Sequence, residues 1–318
     1  MAYTYHAPSL PRAFLWRRAH SLTGLFLVIF LTQHLLINSQ AALFVGENGK
    51  GFVQAVNLLQ ELPYLPAIEF LLIGFPFLIH GYWGIKYLFT GEYNSFPTDG
   101  TKPSLTQYPR NHAYTWQRIT AWILVFGVLA HVVHMRFLLH PSSAQVNTQR
   151  YFMTQVSEDN GLYTLSQRLG FDLYNQEQIK TYIQQLARQE EPPVGDTPQA
   201  LVATQQWNEQ QHLMKAIEGY HLSQAQLLAV TPNFGMALLL VVRDTFKSPA
   251  MIFLYTVFLL ASTFHAFNGL WTFMITWGIT LTASSQRMMR RIATVLLILV
   301  SFLGLASIWG SYWFNLIN

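Results

Sequence analysis

Five long apolar runs divide the chain, and polar links separate them. Each run exceeds the roughly 20 residues that an α-helix needs to cross the hydrocarbon core of a bilayer. The runs are continuous rather than alternating, which disfavours the strands of a membrane β-barrel. The pattern therefore predicts an all-α membrane protein with five transmembrane helices, at about 21–44, 65–89, 114–139, 249–280 and 292–316.

The link between the third and fourth runs is unusually long and polar. Apolar residues recur at helical spacing from Ile179 to Leu186, which predicts an amphipathic helix, and a second helix is expected over 199–218. The run 236–242 is too short to span a membrane, and we expect it to lie in the membrane interface. The predicted domains are residues 1–140 (N-terminal arm and helices one to three), 141–247 (a partly helical insert) and 248–318 (helices four and five).

Composition supports a membrane location. Only 11% of the residues are charged and 51% are hydrophobic, whereas soluble domains carry about 25% charged residues. The chain has no cysteine, which excludes disulfides, thiolate-bound iron–sulfur clusters and thioether-attached haem. The net charge of +4 is small for this length and gives no support for a nucleic-acid partner.

Basic residues flank the apolar runs asymmetrically. They precede the first run and flank the links between runs two and three and between runs four and five, whereas the link between runs one and two carries only Lys50. The positive-inside rule therefore predicts a cytoplasmic N-terminus and an extracytoplasmic insert and C-terminus. The basic residues counted are Arg12, Arg17, Arg18, Lys86, Lys102, Arg110, Arg118, Arg287, Arg290 and Arg291.

A histidine lies inside each of the first four runs, about 13–17 residues after its start: His34, His80, His131 and His265. An ionisable side chain in lipid is costly without a partner and indicates a functional site. Because successive helices run in opposite directions, depth pairs His34 with His131 nearer the outside. The same argument pairs His80 with His265 nearer the cytoplasm.

Two imidazoles that face each other across a helical bundle suit a flat metal macrocycle such as haem. Gly84, Gly127 and Gly269 each lie one helical turn from such a histidine, where a missing side chain gives a porphyrin room. A zinc or di-iron centre would need three or four ligands at one depth. Hydrogen bonds between helices and a proton relay are the alternative roles, and His134 is the rival ligand to His131.

Several short motifs around these histidines resemble a known family: the single-chain, di-haem cytochrome b membrane anchors of succinate dehydrogenases and fumarate reductases in bacteria that use menaquinone. The resemblance covers the five runs and their short links, about two-thirds of the chain, and leaves the insert without a counterpart. The motifs are RRAHSLTG at 17–24, QHL at 33–35, HGYWG at 80–84, Gln117-Arg118, and the stretch from His265 through Asn268 and Trp271 to Thr280.

The resemblance implies an electron-transfer subunit in the bacterial cytoplasmic membrane with no catalytic residue for succinate of its own. It would carry two haems b, the inner on His80 and His265 and the outer on His34 and His131. Partner flavoprotein and iron–sulfur subunits would dock on the cytoplasmic face, and electrons would pass through both haems to quinone, expected to be menaquinone. The alternatives are a fumarate reductase anchor that oxidises quinol, or a haem-free membrane transporter or anchor.

Five further residues are candidates for the surroundings of these cofactors. His20, Ser21 and Arg118 lie on the inner side and are expected to contact haem propionates, because carboxylates favour charge-assisted donors. Glu61 and Glu69 lie near the outer start of the second run and are candidate proton carriers for a quinone site. Ordinary positive-inside flanking and ordinary interfacial carboxylates are the alternative roles of these residues.

Overall fold

A computed structural model describes residues 10–43, 48–102, 104–146, 149–188, 192 and 197–317. Within these ranges five helices are long and apolar enough to cross a membrane, which confirms the predicted fold class. Large side chains on their outer faces, such as Leu78, Phe126 and Phe302, are about 60% exposed or more, as contact with lipid requires. The first part of the chain forms α1 (Arg12–Ser39), α2 (Lys50–Gln60), α3 (Leu65–Glu69), α4 (Phe75–Thr90) and α5 (Pro109–Val132).

Two π-helical turns interrupt these membrane helices. One (Phe70–Gly74) joins α3 to α4, so that a single helical segment runs from Leu65 to Thr90. The other (Val133–Leu138) extends α5. Such turns leave a wide, less regular stretch of helix and often occur at functional sites.

The insert is an α+β unit rather than a purely helical one. Its elements are β1 (Ser142–Val146), β2 (Gln149–Ser157), α6 (Asn160–Leu169), β3 (Asp172–Tyr174), α7 (Gln176–Ala187), α8 (Pro198–Glu218), β4 (Gln226–Thr231) and α9 (Phe234–Thr245). The four strands form an antiparallel sheet in the order β1-β2-β4-β3. The sequence did not reveal the strands, because β1 is largely polar and β3 has only three residues.

Helix starts in the insert follow local capping chemistry. Asn175 and Gln178 form a reciprocal capping box on α7, which confirms the amphipathic helix predicted there. Thr197 caps α8, whose first residue is Pro198, and this is the second predicted helix. Asn233 caps α9.

Helix α9 contradicts the prediction of an interfacial segment. Met236 and Leu240 are 6% and 1% exposed and belong to a hydrophobic cluster with Phe52, Val156 and Leu162. The helix packs against α2 and the sheet. Its short apolar run is therefore the core of a globular unit, because apolar side chains can be buried by protein as well as by lipid.

The last part of the chain forms α10 (Pro249–Thr276) and α11 (Ala283–Ile317). The chain divides into two compact units, and the division falls within α1, α5, α10 and α11. The first unit consists of Met1–Leu36, Pro63–Ala130 and Thr256–Gly304. The second unit consists of Ile37–Leu62, His131–Tyr255 and Leu305–Asn318, and it includes the insert.

Candidate functional site

Two histidines from α4 and α10 face each other in the first unit. The ring centres of His80 and His265 are 6.2 Å apart, and the ring planes are nearly perpendicular at 81°. Two imidazole nitrogens that each lie about 2.0 Å from a shared metal ion place the ring centres roughly 6 Å apart. The observed separation therefore suits a single metal ion held between these two rings.

The tautomer of His80 follows from its hydrogen bond. Its Nδ1 lies 3.0 Å from the carbonyl oxygen of His20. A carbonyl oxygen only accepts, so Nδ1 carries the proton and donates it. In the neutral ring the lone pair is then on Nε2, and a backbone carbonyl that fixes a metal-binding histidine in this way is a common arrangement.

The same argument applies to His265 through a threonine. The Thr120 hydroxyl donates to the carbonyl of Trp116 at 2.8 Å, so its oxygen acts as acceptor toward Nδ1 of His265, 3.4 Å away. His265 therefore also has its lone pair on Nε2. Next to it, Gln117 donates to the carbonyl of His265 at 3.1 Å, and Asn268 donates to the Gln117 side chain at 2.7 Å.

His20 lies directly against this pair. Its ring stacks on His80 with the centres 4.0 Å apart and the planes 12° apart. Gly24 makes this approach possible, because a Cβ there would lie 2.9 Å from Cε1 of His80. Nδ1 of His20 is buried and has no hydrogen-bond partner within the described residues.

An orphaned buried nitrogen is destabilising until a partner satisfies it. A carboxylate such as a haem propionate would supply the missing acceptor. The residues around His80 therefore fit a bis-histidine haem. His80 and His265 stand at the spacing of one metal ion, and Nε2 of each carries the lone pair that would bind iron. Nδ1 of His20, beside them, has no hydrogen-bond partner within the described residues.

Ser21 and Arg118 differ in what surrounds them. Ser21 is half-buried on α1. The Arg118 guanidinium lies 3.4 Å from the centre of the Tyr114 ring and donates to the hydroxyl of Tyr114. It also packs against Gly91, where a Cβ would overlap its side chain. Its Nε is buried without a partner in the described residues, so one donor of the guanidinium is unsatisfied.

The three glycines expected to give a porphyrin room have different neighbours. A Cβ on Gly84 would meet only His20, at 3.7 Å, and a Cβ on Gly269 only the Gln117 amide, at 3.7 Å. A Cβ on Gly127 would lie 2.5 Å from the ring of Phe258. Gly127 therefore serves close packing of α5 against α10 rather than open space.

The two histidines of the outer pair fall in different units, so their pairing stays a prediction. His34 lies in the first unit, with its ring 5.4 Å from that of Phe30. His131 lies in the second unit, and its Nδ1 is 3.2 Å from the hydroxyl of Tyr255. The helical positions nevertheless match, since each of these two histidines lies about 22 residues, or roughly 33 Å of rise, after the first residue of its helix.

His134 shares the tyrosine with His131. Its Nδ1 is 3.4 Å from the Tyr255 hydroxyl, and it belongs to the π-helical turn that follows α5. One hydroxyl has a single proton, so it can donate to only one of these two rings, whereas its lone pairs can accept from either. Tyr255 therefore couples the predicted ligand His131 to its rival.

The two candidate carboxylates fall in different units. Glu61 is exposed and follows the last residue of α2 in the second unit. Glu69 is the last residue of α3 in the first unit, directly before the π-helical turn at Phe70–Gly74. Their role as proton carriers stays a prediction.

Sequence reasoning missed two residues that position the histidines, Thr120 and Tyr255. Both are polar side chains inside apolar helices, and such side chains commonly hydrogen-bond to a neighbouring helix. That rule predicts that Thr120 and Tyr255 each form a hydrogen bond to another helix, but it does not show which histidine is the partner. Among the residues that the structure describes, no group of three or more His, Asp or Glu side chains stands together as a metal site.

Comparison with known proteins gives one curated relative. The chain is 25% identical over 300 residues to the succinate dehydrogenase cytochrome b558 subunit of Bacillus subtilis (strain 168), and the match takes in 94% of this chain and 97% of that protein. No family model matches the chain, and no solved structure does. The resemblance to the cytochrome b membrane anchors is confirmed by this relative, which matches the chain over nearly its whole length.

Proposed function

We propose, from this kinship with a succinate dehydrogenase cytochrome b subunit, that the protein is the membrane-anchoring cytochrome b subunit of a bacterial succinate:quinone oxidoreductase. The observation that carries the proposal is the geometry of His80 and His265. Two half-buried imidazoles from different membrane helices stand at the spacing of one metal ion, and Nε2 of each has the lone pair that could bind it.

In this proposal His80 and His265 hold the inner haem b, and His34 and His131 hold the outer one. The bound haems would supply one-electron transfer between an iron–sulfur subunit and a quinone, proposed to be menaquinone. The chain's own contribution is to orient the ligands: the His20 carbonyl holds the His80 ring and the Thr120 hydroxyl holds the His265 ring. Its apolar helices anchor the flavoprotein and iron–sulfur partners at the membrane.

The surroundings of the inner pair supply polar contacts of the right kind. His20 and Arg118 each have a buried nitrogen with unused hydrogen-bonding capacity within the described residues, and Ser21 follows His20 on α1. We assign these residues to the propionates. Glu61 and Glu69 are assigned to proton delivery at the quinone site, with the insert and the C-terminus outside the cytoplasm.

A reduced-minus-oxidised absorbance spectrum of the purified full chain tests the haem assignment. The proposal predicts the α-band and Soret band of a b-type cytochrome. A preparation that folds and inserts into membranes without either band would contradict it and favour the haem-free anchor.

Activity of the assembled complex tests the remaining part of the proposal. The chain, produced together with the flavoprotein and iron–sulfur subunits, should form a membrane-bound complex that reduces quinone with succinate. The same preparation assayed with quinol and fumarate distinguishes the reverse direction. Faster fumarate reduction than succinate oxidation would contradict the succinate dehydrogenase assignment and favour the fumarate reductase anchor.

A further inference from the structure

One face of the sheet in the insert carries an unexpected carboxylate. Strand register places Asp172 beside Val230 and Tyr174 beside Leu228 on neighbouring strands. Val230 and Leu228 are 8% and 0% exposed, and both belong to the hydrophobic cluster that α7 and α8 cover. Because alternate residues of a strand share a face, Asp172 lies on this face at the edge of the sheet, where it is exposed.

A cavity of about 200 Å³ lies between this sheet face and the two helices. Three phenol rings and Asp172 line it together with aliphatic side chains of the cluster. Among the described residues that line the cavity, none is Lys or Arg. The polar lining is Tyr151, Tyr174, Tyr182 and Asp172.

The charges around the cavity favour a cation. Asp172 takes part in none of the ion pairs formed within the described residues. A tyrosine phenol is neutral at physiological pH, and burial and then the nearby Asp172 charge raise the pKa of Tyr174 further. Burial also raises the pKa of Tyr182. Neutral aromatic rings attract cations through their negative faces.

We propose that this cavity is a binding site for a small organic ammonium ion, held by the three tyrosine rings and by Asp172. An aliphatic floor with aromatic walls suits the alkyl groups of such an ion, and the carboxylate suits its charge. An inorganic cation such as Ca²⁺ would prefer a shell of several carboxylate and carbonyl oxygens, whereas this lining has one carboxylate among phenol and aliphatic side chains. An anion would be repelled by Asp172.

Size limits the ligand. A water molecule takes up about 30 Å³ of liquid, so the cavity has the volume of roughly seven waters and fits an ion with about that many heavy atoms. An open depression of about 400 Å³ shares Tyr174 and Tyr182 with the cavity and is also lined by Glu177. A second carboxylate at this opening would attract the same class of ligand.

Equilibrium dialysis of labelled choline against the full chain in maltoside micelles tests the proposal. We expect saturable binding that 3,3-dimethylbutan-1-ol, the uncharged isostere of choline, does not displace. Asp172→Asn and Tyr174→Leu should each weaken binding about tenfold, since each removes one attraction for the cation. The matched controls Asp99→Asn and Tyr163→Leu change residues outside the cavity and should bind choline as the wild type does.

Three results would overturn the proposal. These are a wild-type protein that does not bind choline, displacement by the neutral isostere at equal concentration, and equal losses in the control variants. The isostere comparison uses wild-type protein only, so it decides the question even if a variant does not fold. If choline binds with the same affinity to the protein in phosphatidylcholine nanodiscs, the ligand is a free ammonium ion. If the lipid lowers the apparent affinity for choline, the site binds a lipid headgroup, and the proposal of a free ligand is wrong.

Discussion

At the scale of single residues, the side chains that orient the histidines matter as much as the histidines. A metal-binding imidazole needs its second nitrogen fixed, and here a carbonyl, a threonine hydroxyl and a tyrosine hydroxyl do this for His80, His265 and His131. The carbonyl and the threonine hydroxyl place the lone pairs of His80 and His265 on Nε2, whereas a tyrosine hydroxyl can either donate to His131 or accept from it. The orientation of the proposed inner ligands is therefore set by the chain's own hydrogen bonds.

His131 and His134 offer the sharpest contrast between a ligand and its neighbour. Both contact Tyr255, and they lie one turn apart on the same helical segment. His131→Ala should lower the haem content from two to one per chain, whereas His134→Ala should leave two, because only His131 matches the helical position of His34. The pyridine haemochrome assay measures both, and the reverse result would make His134 the ligand.

At the scale of elements, close approach of α1 to α4 sets the place of His80. Gly24 leaves no room for a side chain on this face, with the His80 ring 2.9 Å from where a Cβ would lie. The ring cannot easily move, since it is stacked on His20 and hydrogen-bonded to its carbonyl.

Gly24→Ala should therefore displace His80 and destabilise the protein by about 1–3 kcal/mol, as overpacking in a dense interior does. Thermal unfolding followed by circular dichroism measures the loss. Gly81→Ala is the matched control, because it lies on α4 beside His80 and a Cβ there would meet nothing within 4 Å. Equal melting temperatures for the two variants would show that the α1–α4 approach is unimportant.

A charged cluster at the end of the insert stabilises the second unit. Asp159 accepts from the backbone of Leu162 at 2.7 Å and forms ion pairs with Arg243 at 3.2 Å and Lys247 at 2.6 Å. These side chains are mostly buried, at 25%, 11% and 20% exposure. One carboxylate thus caps α6 and pairs with two cations, and Asp244 pairs with Lys247 as well, at 3.1 Å.

Asp159→Ala should cost about 3 kcal/mol, because it removes a helix cap and two partly buried ion pairs, although Lys247 keeps its ion pair with Asp244. Urea unfolding and the rate of proteolysis within the insert measure this loss. The control is Glu92→Ala, which breaks an ion pair whose side chains are 74% and 67% exposed and should cost less than about 1 kcal/mol. A similar small loss at Asp159 would contradict a structural role for the cluster.

Sequence reasoning reached the membrane helices and the inner histidine pair for the same physical reason. Span length and the rise per residue fix depth, so His80 and His265 were expected at one level, and the structure places their rings 6.2 Å apart. The depth of a residue in the membrane does not determine which side chains of helices far apart in sequence touch each other. The stacking of His20 on His80 depends on Gly24, and no local pattern shows it.

The insert was harder to predict because its strands have no strong pattern. β4 is a short apolar run that a buried helix could equally contain, and α9 has the composition of a membrane segment but lies in a protein core. The sheet is assembled from strands far apart in sequence, and β2 pairs with β4 only after about 70 intervening residues.

At the scale of the whole molecule, the proposed function is that of a membrane cytochrome in which two helices hold each haem. A ligand pair behaves as one unit, since either histidine alone cannot complete the axial coordination. Loss of both members should then cost no more haem than loss of one. Haem losses that do not add in the double variant therefore distinguish two histidines that share one haem from histidines that act independently.

The most direct measurement is haem per chain in His80→Ala, in His265→Ala and in the double variant, by pyridine haemochrome assay, with His112→Ala as control. His112 is an exposed histidine at the start of α5, bonded to the carbonyl of Thr106. We expect two haems in the wild type and the control, and one haem in all three ligand variants. A double variant that loses both haems while each single variant loses one, or three variants that keep two, would contradict this expectation.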